Sequence, residues 1–109
     1  TVRVTDFDDL LAELTGFDWD AGNALKNWAR HQVTQAEAEE VFFHRPVLLA
    51  EDAAHSRRER RYNALGRTNA DRLLSIIFTV RRNLVRVISA RPMSRKERSA
   101  YAKVPPEAP

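Results

Sequence analysis

Residues 73–91 read LLSIIFTVRRNLVRVISAR. Two runs rich in Leu, Ile, Val, Phe and Thr, 73–81 and 84–91, flank Arg82-Asn83. Such runs form strands, and a two-residue connection with Asn, which tolerates positive φ, makes a tight hairpin turn. Side chains alternate along a strand, and directly opposed residues share a face. An even-length turn therefore sets Phe78 opposite Val87 and Thr79 opposite Arg86. One face then carries Leu74, Ile76, Phe78, Val80, Val85 and Val87, continued by Ser89 and Arg91. The other carries Thr79, Arg81 and Arg86, with Leu73, Ser75, Ile77, Leu84, Ile88 and Ala90. The first is predicted to meet helices. The second is predicted to stay open, since arginines inside a strand need water or an anionic partner.

Outward from the hairpin, Pro46–Ala50 and Arg61–Leu65 are two shorter strands, the second closed by Gly66. Ser94-Arg95-Lys96-Glu97 is a capping box, in which Ser and Glu side chains satisfy each other's backbone donors, and it opens a last helix to about Tyr101. Thr34-Gln35-Ala36-Glu37 is a second box, opening a helix that buries Ala38, Val41 and Phe42. Asp20 is a candidate cap for a helix whose face is Ala21, Ala24, Leu25 and Trp28. Trp19 and Trp28 read as core. Thr5 to Asp8 starts a short amphipathic helix over about 6–14, which Gly16 ends. The order predicts an α+β domain: helices packed on one face of a four-stranded antiparallel sheet, with a C-terminal helix.

The 109 residues suit one domain. There are no cysteines, so disulfides and thiol chemistry are excluded, and a cytoplasmic setting is expected. No apolar run approaches the roughly 18 residues of a membrane span. Charge divides along the chain. Residues 1–56 hold four basic and eleven acidic groups, net −7, whereas 57–98 hold thirteen basic and three acidic ones, net +10. Fifteen of the eighteen basic residues are Arg, whose forked donors match phosphate oxygens. The basic half thus asks for nucleic acid or for an acidic protein on the same surface.

FDWD at 17–20, NWARHQV at 27–33, AEEVFF at 38–43, HSRRERRYNALGRT at 55–68, RLLSIIFTVR at 72–81 and RVISARPMSRKERSAY at 86–101 resemble, in this order, the BrnT-type toxins. The resemblance implies a RelE-like α+β fold in a bacterial type II toxin–antitoxin system, and a small endoribonuclease that blocks translation by cutting RNA. It implies a BrnA-like antitoxin with a ribbon-helix-helix region, whose complex with the toxin binds operator DNA. The toxin domain is expected over 17–102, after a helical extension at 1–16 and before a flexible tail at 103–109. Family members often carry Pro, Lys and Gly where this chain has Ala21, Asn23 and Gln32.

RNA cleavage by its own 2′-OH needs a base, an acid for the leaving 5′ oxygen, and positive charge for the phosphorane. Arginine supplies the charge, and histidine titrates near neutrality and suits either proton role. The candidate catalytic residues are His31, Arg61 and Arg86. His31 is otherwise a helix-capping histidine, and Arg61 a surface ion pair with Glu59, which can orient it. The candidate RNA contacts are Arg30, Arg81, Arg91, Arg95 and Tyr101. Arg91 alternatively ties the last helix to the sheet, and Tyr101 alternatively packs. His44 and His55 read as surface residues. Three scattered histidines without cysteines suggest neither a metal site nor a cofactor. The antitoxin is expected over the open sheet face, around Arg86, Ile77 and Ile88. The competing reading is a non-catalytic nucleic-acid-binding or antitoxin-sequestering module on the same fold.

Overall fold

The computed structural model describes residues 10–19, 21–52 and 58–105. A helical turn at 10–13 precedes strand β1 (Gly16–Phe17), helix α1 (Ala21–His31) and helix α2 (Gln35–Glu40), which tightens into a 3-10 turn (Val41–Phe43). Strands β2 (Leu48–Glu51), β3 (Tyr62–Arg67), β4 (Leu73–Arg81) and β5 (Leu84–Pro92) follow, and helix α3 (Arg95–Ala102) closes the order. The Thr5–Asp8 helix start, the Asp20 cap, the side chains of Ala21 and Asn23, His55 and the end of the tail lie outside the described residues. Among the described residues, no helix is long and apolar enough to cross a membrane.

The class is α+β, but the sheet has five strands, in the order β1-β5-β4-β3-β2, rather than four. It is also mixed. Its hairpin strands are antiparallel, while β1 runs parallel to β5 through Gly16–Leu84 and Phe17–Val85. Two residues offer no alternation to read, and Gly16 looks like a helix stop. β3 also continues past its expected end. Gly66 lies inside it because the 3-10 turn packs directly on this position: a Cβ there would sit 2.7 Å from Val41 Cγ1.

The hairpin has the expected two-residue turn, with Arg82 and Asn83 at φ of 52° and 64°. Both values are positive, as a type I′ turn requires. Val80–Val85, Thr79–Arg86 and Phe78–Val87 pair as alternation predicts. The register then shifts between Ile77 and Phe78, so that Ile77 meets Ser89, Ile76 meets Ala90 and Ser75 meets Arg91. Ile88 is the extra residue of this β-bulge, and one extra residue exchanges the faces of everything beyond it. Ala90 therefore enters the core, and Ser89 and Arg91 move to the opposite face, correcting the assignment for these three.

Helices cover both faces of the sheet, not one. The first face buries Ile76, Phe78, Val85, Val87 and Ala90 against Val33, Ala38, Val41 and Phe42. Phe42 meets Phe78 edge-on at 5.0 Å. Leu10, Leu11 and Leu14 pack against this core. The second face carries a smaller core of Leu48, Leu65, Met93 and Tyr101, with Leu73 and Val104 beside it. Leu65 pairs with Ser75, so α3 lies over the β2–β4 side of this face and leaves its hairpin end uncovered by helix.

Both capping boxes form. Thr34 and Ser94 accept from Glu37 N–H and Glu97 N–H, and each glutamate accepts from the cap's own N–H. α1 ends on Gln32 at φ 53°, whose N–H donates to the Trp28 carbonyl, while Val33 N–H reaches the Asn27 carbonyl. This is the left-handed helix stop that ordinarily favours glycine. Arg72 fastens it, donating to the His31 and Gln32 carbonyls and to both Glu37 oxygens. α1 runs along β5, where Asn27 is buried and its Oδ1 accepts from Ala90 N–H at 3.1 Å. Its apolar arc is not in the core: Leu25 is 71% and Trp28 53% exposed, against expectation. Trp19 does pack on the first core and donates from Nε1 to Glu39 at 2.6 Å.

Candidate nucleic-acid site

The uncovered end of the second face gathers the arginines. Alternation along β4 and β5 puts Thr79, Arg81 and Arg86 there, and Thr79 pairs directly with Arg86. Arg61, one residue before β3, has the parity of Asn63 and shares that face. Arg81 donates twice to Glu59, Nε to Oε2 at 2.6 Å and Nη2 to Oε1 at 2.7 Å. Hydrogen bonds from Arg81 hold the Glu59 carboxyl below the usual carboxylate range against desolvation, and the charges of Arg81, Arg86 and Arg61 add to the lowering. Three guanidinium groups therefore act on one carboxylate. Arg86 Nη1 lies 3.5 Å from Asp18 Oδ2. The Thr79 hydroxyl is buried and donates to the Arg60 carbonyl at 2.8 Å, which holds the 58–61 segment against the sheet.

Chemically this is a cluster of positive charge: forked donors on a strand pair, with two carboxylates beside them. Phosphate binding and charge stabilisation suit it. Among the described residues, no three His, Asp or Glu side chains stand together as metal ligands.

The structure brings Arg61, Arg81 and Arg86 together but not His31. The His31 carbonyl is bonded to Arg72, at the start of β4, whereas Arg86 lies opposite Thr79. Seven strand residues separate the two levels, on the order of 20 Å. Arg30 is exposed in the last turn of α1, and Arg95 is exposed in the first turn of α3. Arg91 grips Glu97 with both ends of its fork, at 2.7 and 3.0 Å, and so ties α3 to the sheet. Glu97 also accepts from the Ser75 hydroxyl, which itself accepts from Asn63. Burial would raise the Glu97 carboxyl, yet Arg91 and Ser94 together bring it down to about 2. Tyr101 is buried in the second core and donates to the Pro46 carbonyl at 2.7 Å, and burial raises its phenol.

The sequence did not point to one contributor and gave another a different role. Asp18 pairs with Arg86 because β1 lies beside β5, and no local pattern announces a contact between such distant segments. Glu59 was expected to orient Arg61. Its hydrogen bonds go instead to Arg81, which a bent 58–61 segment brings within reach.

A family model described as the ribonuclease toxin BrnT of type II toxin–antitoxin systems matches residues 19–97. The chain belongs to the BrnT family. The match runs from Trp19 through Glu97 and so includes Glu59, Arg61, Arg81 and Arg86, while Asp18 falls one residue before it. As a BrnT member the chain is a toxin described as a ribonuclease, and the type II arrangement implies an antitoxin partner. No curated protein matches the sequence significantly.

Proposed function

We propose that this BrnT member is a metal-independent endoribonuclease that inhibits translation by cutting RNA at the Arg61–Arg81–Arg86 cluster. The observation that carries the reading is the register that sets Arg61, Arg81 and Arg86 on one face of the sheet, with Arg81 held by Glu59. In the proposed step the RNA 2′ oxygen attacks phosphorus, the bond to the 5′ oxygen breaks, and the products are a 2′,3′-cyclic phosphate and a 5′-hydroxyl. Arg86, with Arg61 and Arg81, stabilises the phosphorane charge, the part of the task that a cation otherwise performs. Asp18, beside Arg86 and part-exposed, takes the 2′ proton, and the leaving 5′ oxygen takes its proton from solvent water. Glu59, which accepts both ends of the Arg81 fork, serves to orient Arg81. His31 and Arg30 then contact RNA away from the reacting phosphate, with Arg95 as a further contact, while Arg91 and Tyr101 maintain α3. The partner is a BrnA-like ribbon-helix-helix antitoxin, and operator DNA is bound only through the complex.

The test is product chemistry. A transcript incubated with the purified chain in EDTA is expected to yield cyclic-phosphate and 5′-hydroxyl ends, and an all-2′-deoxy copy is expected to resist. Cleavage that requires a divalent ion overturns the mechanism. A second reading, a nucleic-acid-binding or antitoxin-sequestering module without catalysis, is favoured by the separation of His31 from the cluster. RNA retention without cleavage in the same assay supports it.

A further inference from the structure

α1 presents its most apolar arc to solvent. At 100° per residue, Ala24, Asn27 and His31 share the side that is buried or half-buried against the rest of the fold. Leu25 and Ala29 point the opposite way, with Trp28 beside Leu25 at i, i+3. Leu25 at 71% and Trp28 at 53% exposure are among the largest apolar exposures of the described residues. Lys26 and Arg30, one turn apart and both exposed, border the arc, and α1 contains no acidic residue. A wetted helix that serves only the fold gains nothing from an exposed Leu-Trp pair, whereas a partner helix gains an anchor.

We propose that this arc, Leu25, Trp28 and Ala29 bordered by Lys26 and Arg30, is where the antitoxin docks, through an amphipathic helix bearing carboxylates opposite the two cations. The proposal rests on the family's antitoxin partnership and adds its surface, which differs from the arginine face expected from sequence. Charge decides the occupant. A second copy of this chain related by a two-fold axis would set Lys26 and Arg30 against their own equivalents, with no acid in α1 to offset them. RNA would stack a base on Trp28, yet Leu25, the more exposed of the pair, offers no stacking. An apolar helix with carboxylates at its border satisfies both the Leu-Trp pair and the cations.

The experiment pairs the full chain with the purified product of the gene adjacent to its own. The Leu25→Ser/Trp28→Ser double variant alters only exposed side chains, and an unchanged urea midpoint checks that it folds. The variant is expected to bind the antitoxin at least about thirtyfold more weakly. Its RNA cleavage is expected to persist and to escape inhibition at antitoxin concentrations that silence the wild type. Unchanged antitoxin affinity overturns the proposal. So does loss of RNA binding alone, which makes the arc an RNA platform, or loss of self-association alone, which makes it a contact between copies. A wild-type chain that does not bind the adjacent product at all overturns the partnership as well as the surface.

Discussion

Replacing Glu97 by Gln tests how α3 is held to the sheet. The carboxylate accepts from Arg91 twice, from Ser94 N–H at 2.8 Å and from the Ser75 hydroxyl at 3.3 Å. An amide keeps the shape but loses the charge, and sets one donor against the Arg91 fork. The carboxyl lies at about 2 against an ordinary 4.5. That difference is worth roughly 3 kcal/mol in full. Arg91 and Glu97 side chains are 38% and 21% exposed, so water screens the pair. About 1–2 kcal/mol remains at neutral pH. The sign follows from proton uptake. The unfolded chain protonates Glu97 near 4.5 and the folded chain only near 2, so the stabilisation is complete at pH 7 and drains away as pH falls between these values. Urea unfolding of wild type and Glu97→Gln at pH 7 and pH 3 reads this directly. The difference between the two proteins is expected to be about 1–2 kcal/mol at pH 7 and less than half of that at pH 3. A difference independent of pH, or none at pH 7, refutes the assignment of this carboxylate as the charged anchor of α3.

Gly66→Ala places a Cβ 2.7 Å from Val41 Cγ1 and is expected to cost stability. The loss should be about 1–3 kcal/mol by thermal or urea unfolding, and adding Val41→Ala should recover part of it. Gln32→Gly relieves a non-glycine φ of 53° at the end of α1. It is expected to raise stability by about 0.5–1 kcal/mol, less than the full left-handed penalty because glycine also loosens the unfolded chain.

What local chemistry governs was legible in the sequence. The two-residue turn at Arg82-Asn83, the alternation from Phe78 to Val87, and the capping boxes at Thr34 and Ser94 each involve residues a few positions apart. The bulge at Ile88 was not, since a single unpaired residue leaves no mark on composition while it turns Ala90 inward and Arg91 outward. β1 was too short to alternate. α3's position on the second face depends on Arg91 meeting Glu97 and on Tyr101 meeting Pro46, contacts that only the assembled sheet creates. The same holds for the site. Arg81 and Arg86 were placed together by hairpin register alone, whereas Asp18 and the true partner of Glu59 required the parallel strand and the 58–61 bend. Exposure of Leu25 and Trp28 ran against the pattern because α1 uses Asn27 to cap the β5 edge and turns its apolar arc away.

Whether the arginine cluster carries RNA cleavage is read from single-turnover cleavage of one transcript in EDTA by wild type and Arg86→Ala. Arg86 pairs across the hairpin with Thr79 and is a quarter exposed, and an unchanged circular dichroism spectrum checks that the variant folds. Wild type is expected to cleave and the variant to lose at least about a hundredfold, the scale of removing one transition-state donor. Cleavage by Arg86→Ala at the wild-type rate would contradict the cluster's role.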